Sequence, residues 1–306
     1  MNDKGKLYIV ATPIGNLGDM TQRAVEILRM CDIIAAEDTQ NSMTILTKFE
    51  IKTKLVSNHK FNETGSSEYF INELLNGKNI AVISDAGTPC ISDPGSVLVK
   101  KTLENNIDVV GIPGACAVVT AISVSGFGVK SFSFEGFFPR ENAGIKKITR
   151  KIRNNPGIYI FYESPKRIIR TVGFFADLSS DSHVDICLCN DLTKKFEKIY
   201  RGPPAEVLRK LEANPSAEKG EYTMVVNIIN ISENDGEDNS GDLPAQSILP
   251  IESLIVDVMI KQKCTIKDAV KHLASNTDNN IYGACNLTKN EIYAASLNLK
   301  KLFKDV

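Results

Sequence analysis

Val82-Ile-Ser-Asp-Ala-Gly-Thr-Pro-Cys-Ile-Ser-Asp-Pro-Gly95 is the stretch on which the reading of this chain turns. It leaves an apolar run, Ile80 to Ile83, that has the character of a buried strand. It then fills with Gly, Pro, Ser and Asp, and helical character resumes near Ser96. Small residues after a parallel strand let the backbone approach a ligand closely. Such loops lie at the carboxyl edge of an open sheet, where α/β proteins bind cofactors.

Two more loops of this kind lie in the same half of the chain. Lys6 to Ala11 reads as a strand and is followed by Thr12-Pro-Ile-Gly-Asn-Leu-Gly-Asp19. Asp19, with Gln22 three positions on, has the spacing of a capping box. Ile107 to Ile112 reads as a strand and runs into Pro113-Gly-Ala-Cys-Ala117. Three strand-to-loop transitions in one domain predict one shared pocket.

Residues 1–114 alternate strand and helix with near-continuous apolar strands, the pattern of a parallel sheet covered on both faces. Residues 115–231 form a second α/β domain. Its strands are expected near Phe132–Glu135, Gly157–Tyr162, Val184–Cys189, Lys195–Tyr200 and Tyr222–Ile229. Helices are expected at Pro165–Asp177 and Pro204–Ala213. No crossover helix fits between Cys189 and Lys195, so part of this sheet should be antiparallel. Residues 232–243 read as an acidic linker. Residues 244–306 form a small helical domain, with helices over Ser253–Lys261, Ile266–Ala274 and Lys289–Phe303 and with Thr265 and Thr288 as caps.

The chain has 306 residues, 42% of them hydrophobic, enough for several cores. No apolar run reaches the ~18 residues that cross a bilayer, and no signal peptide opens the chain. Its 7 cysteines lack framework spacing. A cytoplasmic protein with no membrane partner is expected. Net charge is −1, but five acids lie between Glu233 and Asp242, and setting them aside leaves +4. Bases cluster at Lys146–Arg153, Lys166–Arg170 and Lys194–Arg201. A polyanionic partner is therefore compatible with the chain, as are ordinary solvated helix faces.

Gly15 and Gly18 echo a dinucleotide loop, but the full G-x-G-x-x-G is absent, and so are the P-loop and the G-x-S-x-G elbow. Asp85 and Asp93 have no histidine near them in sequence. Capping and loop bracing account for them, and no metal is predicted. Cys187 and Cys189 share one face of a strand and read as core. Tyr162-Glu-Ser-Pro-Lys-Arg167 gathers an aromatic, an acid and two bases at a strand mouth, which points to function. Gly220, ahead of a strand, serves either a close backbone approach or a tight turn.

Together these segments resemble one family. Thr12–Asp19, Ala35–Thr39, Ser84–Pro89, Ser92–Gly95, Pro113–Ala117, Phe134–Pro139, Phe161–Arg167 and Lys219–Glu221 match in order the bacterial 16S ribosomal RNA cytidine-2′-O-methyltransferases, a branch of the tetrapyrrole methylase superfamily. The resemblance covers residues 6–230. It implies a two-domain class III methyltransferase fold with a C-terminal helical domain. It also implies a homodimer that binds S-adenosylmethionine between the α/β domains and acts on a decoding-region cytidine of the small ribosomal subunit (30S).

The cofactor residues so implied are Pro13, Gly15, Asp85, Ala86, Gly87, Thr88, Pro113, Gly114, Ala115, Tyr162, Glu163, Gly220 and Glu221. The chain departs from the family pattern at Gln40, where arginine is common, at Phe61, where histidine is usual, and at Asn190-Asp191, where Arg-Glu is usual.

Methyl transfer to a sugar hydroxyl needs in-line alignment and an acceptor for the proton. Glu37, Asp38, Asp85 and Glu163 are the carboxylates expected near the cleft. Lys166 and Lys194 can hold phosphate or stabilise a developing alkoxide. RNA contact is expected at the basic clusters, with Lys289, Lys300, Lys301 and Lys304 in addition. A methylase of tetrapyrrole carbon and a non-catalytic ribosome-assembly factor are the competing readings.

Overall fold

A computed structural model describes residues 4–59, 63–179, 183–229, 251–275 and 289–302. The acidic stretch from Glu233 to Asp242, Phe61, Thr288 and Lys304 lie outside the described residues. The chain divides into two compact units, Met1–Ser232 and Glu233–Val306.

The first unit contains two five-stranded sheets. The first holds β1 (Leu7–Val10), β2 (Ile33–Ala36), β3 (Lys54–Ser57), β4 (Ile80–Ile83) and β5 (Val109–Ile112) in the order β3-β2-β4-β1-β5. Every pairing is parallel. Alternate strand residues enter opposite cores, as a doubly covered sheet requires. Val10, Ile34 and Ile83 pack with α1 (Gln22–Met30) and α2 (Thr39–Lys48) through Leu28 and Leu46. Leu7, Ile33 and Val82 pack on the other face with α3 (Glu63–Leu75) and α4 (Ser96–Glu104) through Phe70, Leu74 and Leu98. The neighbours β1 and β4 send their connections in opposite directions, to β2 and to β5. Their carboxyl ends form a switch point, where such sheets open a crevice.

After α5 (Ala117–Ser123) comes a mixed sheet. It holds β6 (Ser133–Phe137), β7 (Gly157–Glu163), β8 (His183–Asn190), β9 (Lys198–Gly202) and β10 (Tyr222–Ile229) in the order β6-β7-β10-β8-β9. Only β6 and β7 are parallel; β8 and β9 form an antiparallel pair across a short loop, as the missing crossover requires. α6 (Asn142–Asn154), α7 (Ile168–Leu178) and α8 (Pro204–Glu212) cover one face around Phe138, Phe161 and Phe175. α5 covers the other, where Val118 and Ile122 meet Ile160, Cys187 and Val225. Ile14, from the loop after β1, packs into this same cluster and ties the two sheets together.

Several boundaries differ from the sequence expectation. Thr21, not Asp19, caps α1, its side chain accepting from Ala24 N–H at 3.1 Å. Asp19 closes a 3-10 turn, Leu17–Asp19, whose cap is Asn16. The helix expected at Pro165 starts at Ile168, because Arg167 N–H bonds Ser164 O at 3.0 Å and makes residues 164–167 a turn. β5 starts at Val109 and β9 at Lys198, two and three residues later than expected.

The second unit holds α9 (Ile251–Gln262), α10 (Ile266–Ser275) and α11 (Lys289–Leu302) around Ile255, Val258, Ala269 and Ile292. Thr265 Oγ1 accepts from Asp268 N–H at 3.4 Å, the bond of an N-cap. No described helix is long and apolar enough to cross a membrane.

Candidate active site

The loop after β4 is fastened to the loop after β1. Thr12 N–H bonds Gly87 O at 2.9 Å, and Gly87 N–H bonds Thr12 O at 3.0 Å. Thr12 Oγ1 donates to Ser84 O at 3.1 Å. Gly87 has φ +80°, a conformation that a side chain strains. The third loop closes from behind. Thr88 Oγ1 bonds Ala115 O at 3.3 Å, and a Cβ on Gly114 would stand 2.9 Å from Ala11 Cβ. Beyond Pro89 the loop holds Cys90 and Ser92 in the left-handed region, at φ +68° and +67°. Such conformations persist only where the surroundings impose them.

These loops form one side of a cavity of about 370 Å³, whose far side comes from the mixed sheet. Ala86, Gly87, Thr88 and Asp93 line it from the first sheet. Tyr162, Glu163, Ser164 and Pro165 line it from the end of β7; Glu221, Tyr222 and Thr223 line it from the start of β10. Cys189, expected as core, is buried and presents a wall of the cavity. Ile91 and Phe137 line the mouth and are 43% and 59% exposed. Tyr162 meets Phe137 edge to face at 5.8 Å.

Of the cofactor residues implied by the sequence, Ala86, Gly87, Thr88, Tyr162, Glu163 and Glu221 line the cavity. Pro13 stands between Thr12 and Ile14 at its edge, and Pro113, Gly114 and Ala115 form the layer behind Thr88. Gly220 has φ +82° and faces Asp191, whose carboxylate would lie 2.2 Å from an added Cβ. It is a tight turn and a close approach at once. Asn190 and Asp191 hold that turn: Asp191 N–H bonds Glu221 O at 2.9 Å, and Asn190 Nδ2 reaches Lys219 O and Glu221 O at 3.4 Å each. Asn190 and Asp191 thus brace a cavity segment. Gln40 is exposed on the first turn of α2.

Of the five candidate catalytic residues, Glu163 lines the cavity, whereas Glu37, Asp38, Lys166 and Lys194 do not. Glu163 is buried, and Ser164 N–H and Thr171 Oγ1 donate to it at 2.7 Å each. The Arg167 guanidinium also pairs with it and donates to Phe138 O at 3.1 Å. With three donors on it, this carboxylate braces the ends of β6 and β7. Asp38 caps α2 through Gln40 N–H at 2.7 Å. Lys166 pairs with Glu218 at 3.1 Å on the surface. Lys194 bridges Asp191 at 2.9 Å and Glu221 at 2.8 Å, and its stem covers Gly15, where a Cβ would stand 2.5 Å from its Cγ. Burial alone would lower the Lys194 ammonium, but the bonds to Glu221 and Asp191 carry its pKa up. Glu37 does not line the cavity.

Behind the cavity the first sheet is acidic. Asp85 accepts from Asp38 N–H at 3.2 Å and from Asn41 Nδ2 at 3.0 Å. Burial raises the Glu37 carboxyl, and the charges of Asp85 and Asp38 add to the rise. Asp93 is half-buried and is pushed up to about 6 by desolvation first, then by Glu37 and Asp85, against a hydrogen bond from Ser84. Tyr162 is raised by burial and by Cys116 and Asp93. The sequence assigns Asp93, with Asp85, to capping and loop bracing; its place in the same Gly- and Pro-bearing loop is the signal for a site role.

Residues 6–208 match the family of tetrapyrrole (corrin/porphyrin) methylases. The ribosomal RNA small subunit methyltransferase I of Escherichia coli O157:H7 is 36% identical over 275 residues, 90% of this chain and 93% of that protein. Its namesake in Bacillus subtilis is 38% identical over 96% of this chain and 94% of its own length. Among solved structures, diphthine synthase superposes with a TM-score of 0.57 at 13% identity, covering 73% of this chain and 90% of that one. A cobalt precorrin-4 methyltransferase gives 0.52 at 14% identity, over 72% and 94%. Both show the shared fold.

Proposed function

The chain belongs to the tetrapyrrole methylase family, and from that premise we propose that it methylates the 2′-hydroxyl of a cytidine in 16S ribosomal RNA of the small subunit, with S-adenosylmethionine as donor. One observation carries the reading: the loops after β1, β4 and β5 converge with the ends of β7 and β10 on a single cavity, in a chain 36–38% identical over most of its length to small subunit rRNA methyltransferases.

The residues present fit the donor. The cavity lies in the size range of small-ligand sites. Gly87 and Ala86 leave backbone close to its space. Glu37 and Asp85, behind the cavity, repel Asp93 in its lining, a repulsion that a bound cation relieves. S-adenosylmethionine supplies an electrophilic methyl group on a positively charged sulfur. Ala86–Thr88, with Pro113–Ala115 behind, hold the donor from the first sheet; Tyr162, Gly220 and Glu221 hold it from the second. Pro13, Gly15 and Asp85 keep these loops in register. Glu163 positions Tyr162 through the Arg167 brace.

Phe137 offers its exposed face at the mouth to the cytosine, since sequence-specific RNA recognition relies on aromatic stacking of splayed bases. The lysines and arginines of α6, with Lys166 and Arg170, contact phosphates. The protein acts as a homodimer in the cytoplasm; the exposed apolar side chains of Val119, Val129 and Phe132 support a subunit contact near α5.

The test is incubation with methyl-labelled S-adenosylmethionine and unmodified small subunits, followed by RNA digestion and mass spectrometry. 2′-O-methylcytidine is expected. Label on a porphyrin precursor instead, or on neither substrate, overturns the reading. Sedimentation at micromolar concentration tests the dimer.

A further inference from the structure

We propose that Asp93 is the group that takes the proton from the hydroxyl being methylated. This deepens the methyltransferase reading and rests on it.

Among the described residues three acidic residues line the cavity: Asp93, Glu163 and Glu221. Glu163 is occupied by Ser164 N–H, Thr171 Oγ1 and the Arg167 guanidinium. Glu221 is paired with Lys194 at 2.8 Å. Both side chains are thus already committed to donors of the protein itself. The charges acting on Asp93 are those of Glu37 and Asp85, both negative. Of the three, it is the one set against acids instead of a cation.

Its position is imposed. Cys90 and Ser92, on the approach to Asp93, are both left-handed. Gly95, two residues on, has φ +124°, and a Cβ there would stand 2.7 Å from Cys90 Sγ. Ser92 Oγ faces Gly136 of β6, where an added Cβ would lie 3.6 Å away. The loop thus runs close to β6, and Asp93 lines the cavity together with Ile91 and Phe137. The groups that face it are Ser84 and Asp85 at the end of β4, Glu37 at the end of β2 and Tyr162 on β7.

In the step, the hydroxyl O–H bond breaks and its proton passes to an Asp93 carboxylate oxygen. The oxygen's electron pair forms the new bond to the methyl carbon, and the donor's sulfur keeps the pair of the broken C–S bond and leaves as a neutral thioether. An acceptor that titrates near pH 6 is ionised at neutral pH, yet it is more basic than an ordinary aspartate.

The test uses the full chain with Asp93→Asn and Asp93→Glu. Single-turnover methylation of unmodified small subunits is expected to fall ~100-fold in Asp93→Asn and to recover in part in Asp93→Glu. Calorimetric affinity for S-adenosylhomocysteine should stay within about threefold of wild type. Independently of turnover, carbon NMR of the labelled wild-type carboxyl should titrate near pH 6, and its midpoint should fall in Glu37→Gln.

A rate loss under about tenfold in Asp93→Asn overturns the assignment. So does a thioether affinity that falls in step with the rate, which makes Asp93 a donor-holding group, and so does a midpoint at the ordinary 3.8. Should Asp93→Asn fail to fold by thermal melting, Asp93→Ser takes its place under the same criteria. Wild type that neither binds the thioether nor methylates RNA defeats the broader reading instead.

Discussion

Thr12 and Gly87 exchange both of their backbone hydrogen bonds, at 2.9 and 3.0 Å, and so join the loops that leave β1 and β4. The pair bridges the switch point of the first sheet, where the crevice opens. Gly87 makes this possible at φ +80°, and a Cβ there would press on Ile14 Cγ2 at 3.2 Å. Ile14 belongs to the core under the second sheet, so the strain would spread to both walls. Gly87→Ala is expected to cost about 1–2 kcal/mol of stability and to weaken S-adenosylhomocysteine binding at least ~tenfold. Urea unfolding and calorimetry check the two effects. Unchanged affinity would remove Gly87 from the donor site.

The sheets were legible because their signals are local. β10 runs over Tyr222–Ile229 as its apolar run implies, and the loops after β1, β4 and β5 meet as their small residues suggest. Caps were less legible. Asp19 and Thr21 are both good cap residues, and the 3-10 turn of Leu17–Asp19, set by the Asn16 side chain, hands the cap to Thr21. Pro165 could open a helix, but the bond from Arg167 N–H to Ser164 O makes a turn first.

The roles of the carboxylates were not legible, because they depend on partners distant in sequence. Glu163 looks like an acid at a strand mouth until Thr171, eight residues on, is folded against it. Asp93 looks like a loop brace until Glu37 is brought up behind it.

Glu163 and Arg167 form a pair in which the glutamate side chain has no exposure and the arginine side chain 22%. Removing one member of a buried pair strands the other charge, at a cost of about 3 kcal/mol or more. Glu163→Gln is therefore expected to lower unfolding stability by about 3 kcal/mol. Thr171→Val, which removes one donor, should cost about 1 kcal/mol. The signature of a brace is that both losses appear in denaturant midpoints at every pH from 6 to 8. A Glu163→Gln chain of wild-type stability with methylation abolished would instead mark Glu163 as the proton acceptor.

Asp93 also links stability to pH. Its folded pKa, about 6, lies above the ordinary 3.8, so the native state binds this proton more tightly than the unfolded chain does. The group's contribution is complete below pH 3.8 and is lost as pH rises through 6. Above that, the native state carries a disfavoured charge. The full shift corresponds to ~3 kcal/mol; for a half-buried carboxylate, solvent screening reduces it to ~1 kcal/mol. Asp93→Asn should therefore melt roughly 2–4 °C above wild type at neutral pH, with the gap closing toward pH 4. Calorimetric scans across that range decide it. A variant less stable than wild type at neutral pH would show that the charge is favourable where it sits.

Phe137 is 59% exposed at the cavity mouth although it belongs to a strand. The register of β6 on β7 shifts between Phe134 and Phe137, and Gly136 takes φ +69°, which turns the Phe137 ring outward. Tyr162 and its edge-to-face contact at 5.8 Å keep the ring from folding back. An aromatic held open at the rim costs hydrophobic burial, and a base stacking there returns ~1–3 kcal/mol. Phe137→Ala is therefore expected to raise the KM for small subunits ~5- to 100-fold. Affinity for S-adenosylhomocysteine should stay near wild type, because the ring stands at the mouth. Phe137→Trp, which keeps a stacking face, should restore most of the RNA affinity, whereas Phe137→Leu should not. Equal KM values for the leucine and tryptophan variants would show that Phe137 acts by bulk, and a matching loss of donor binding would place the ring against the donor instead of the nucleobase.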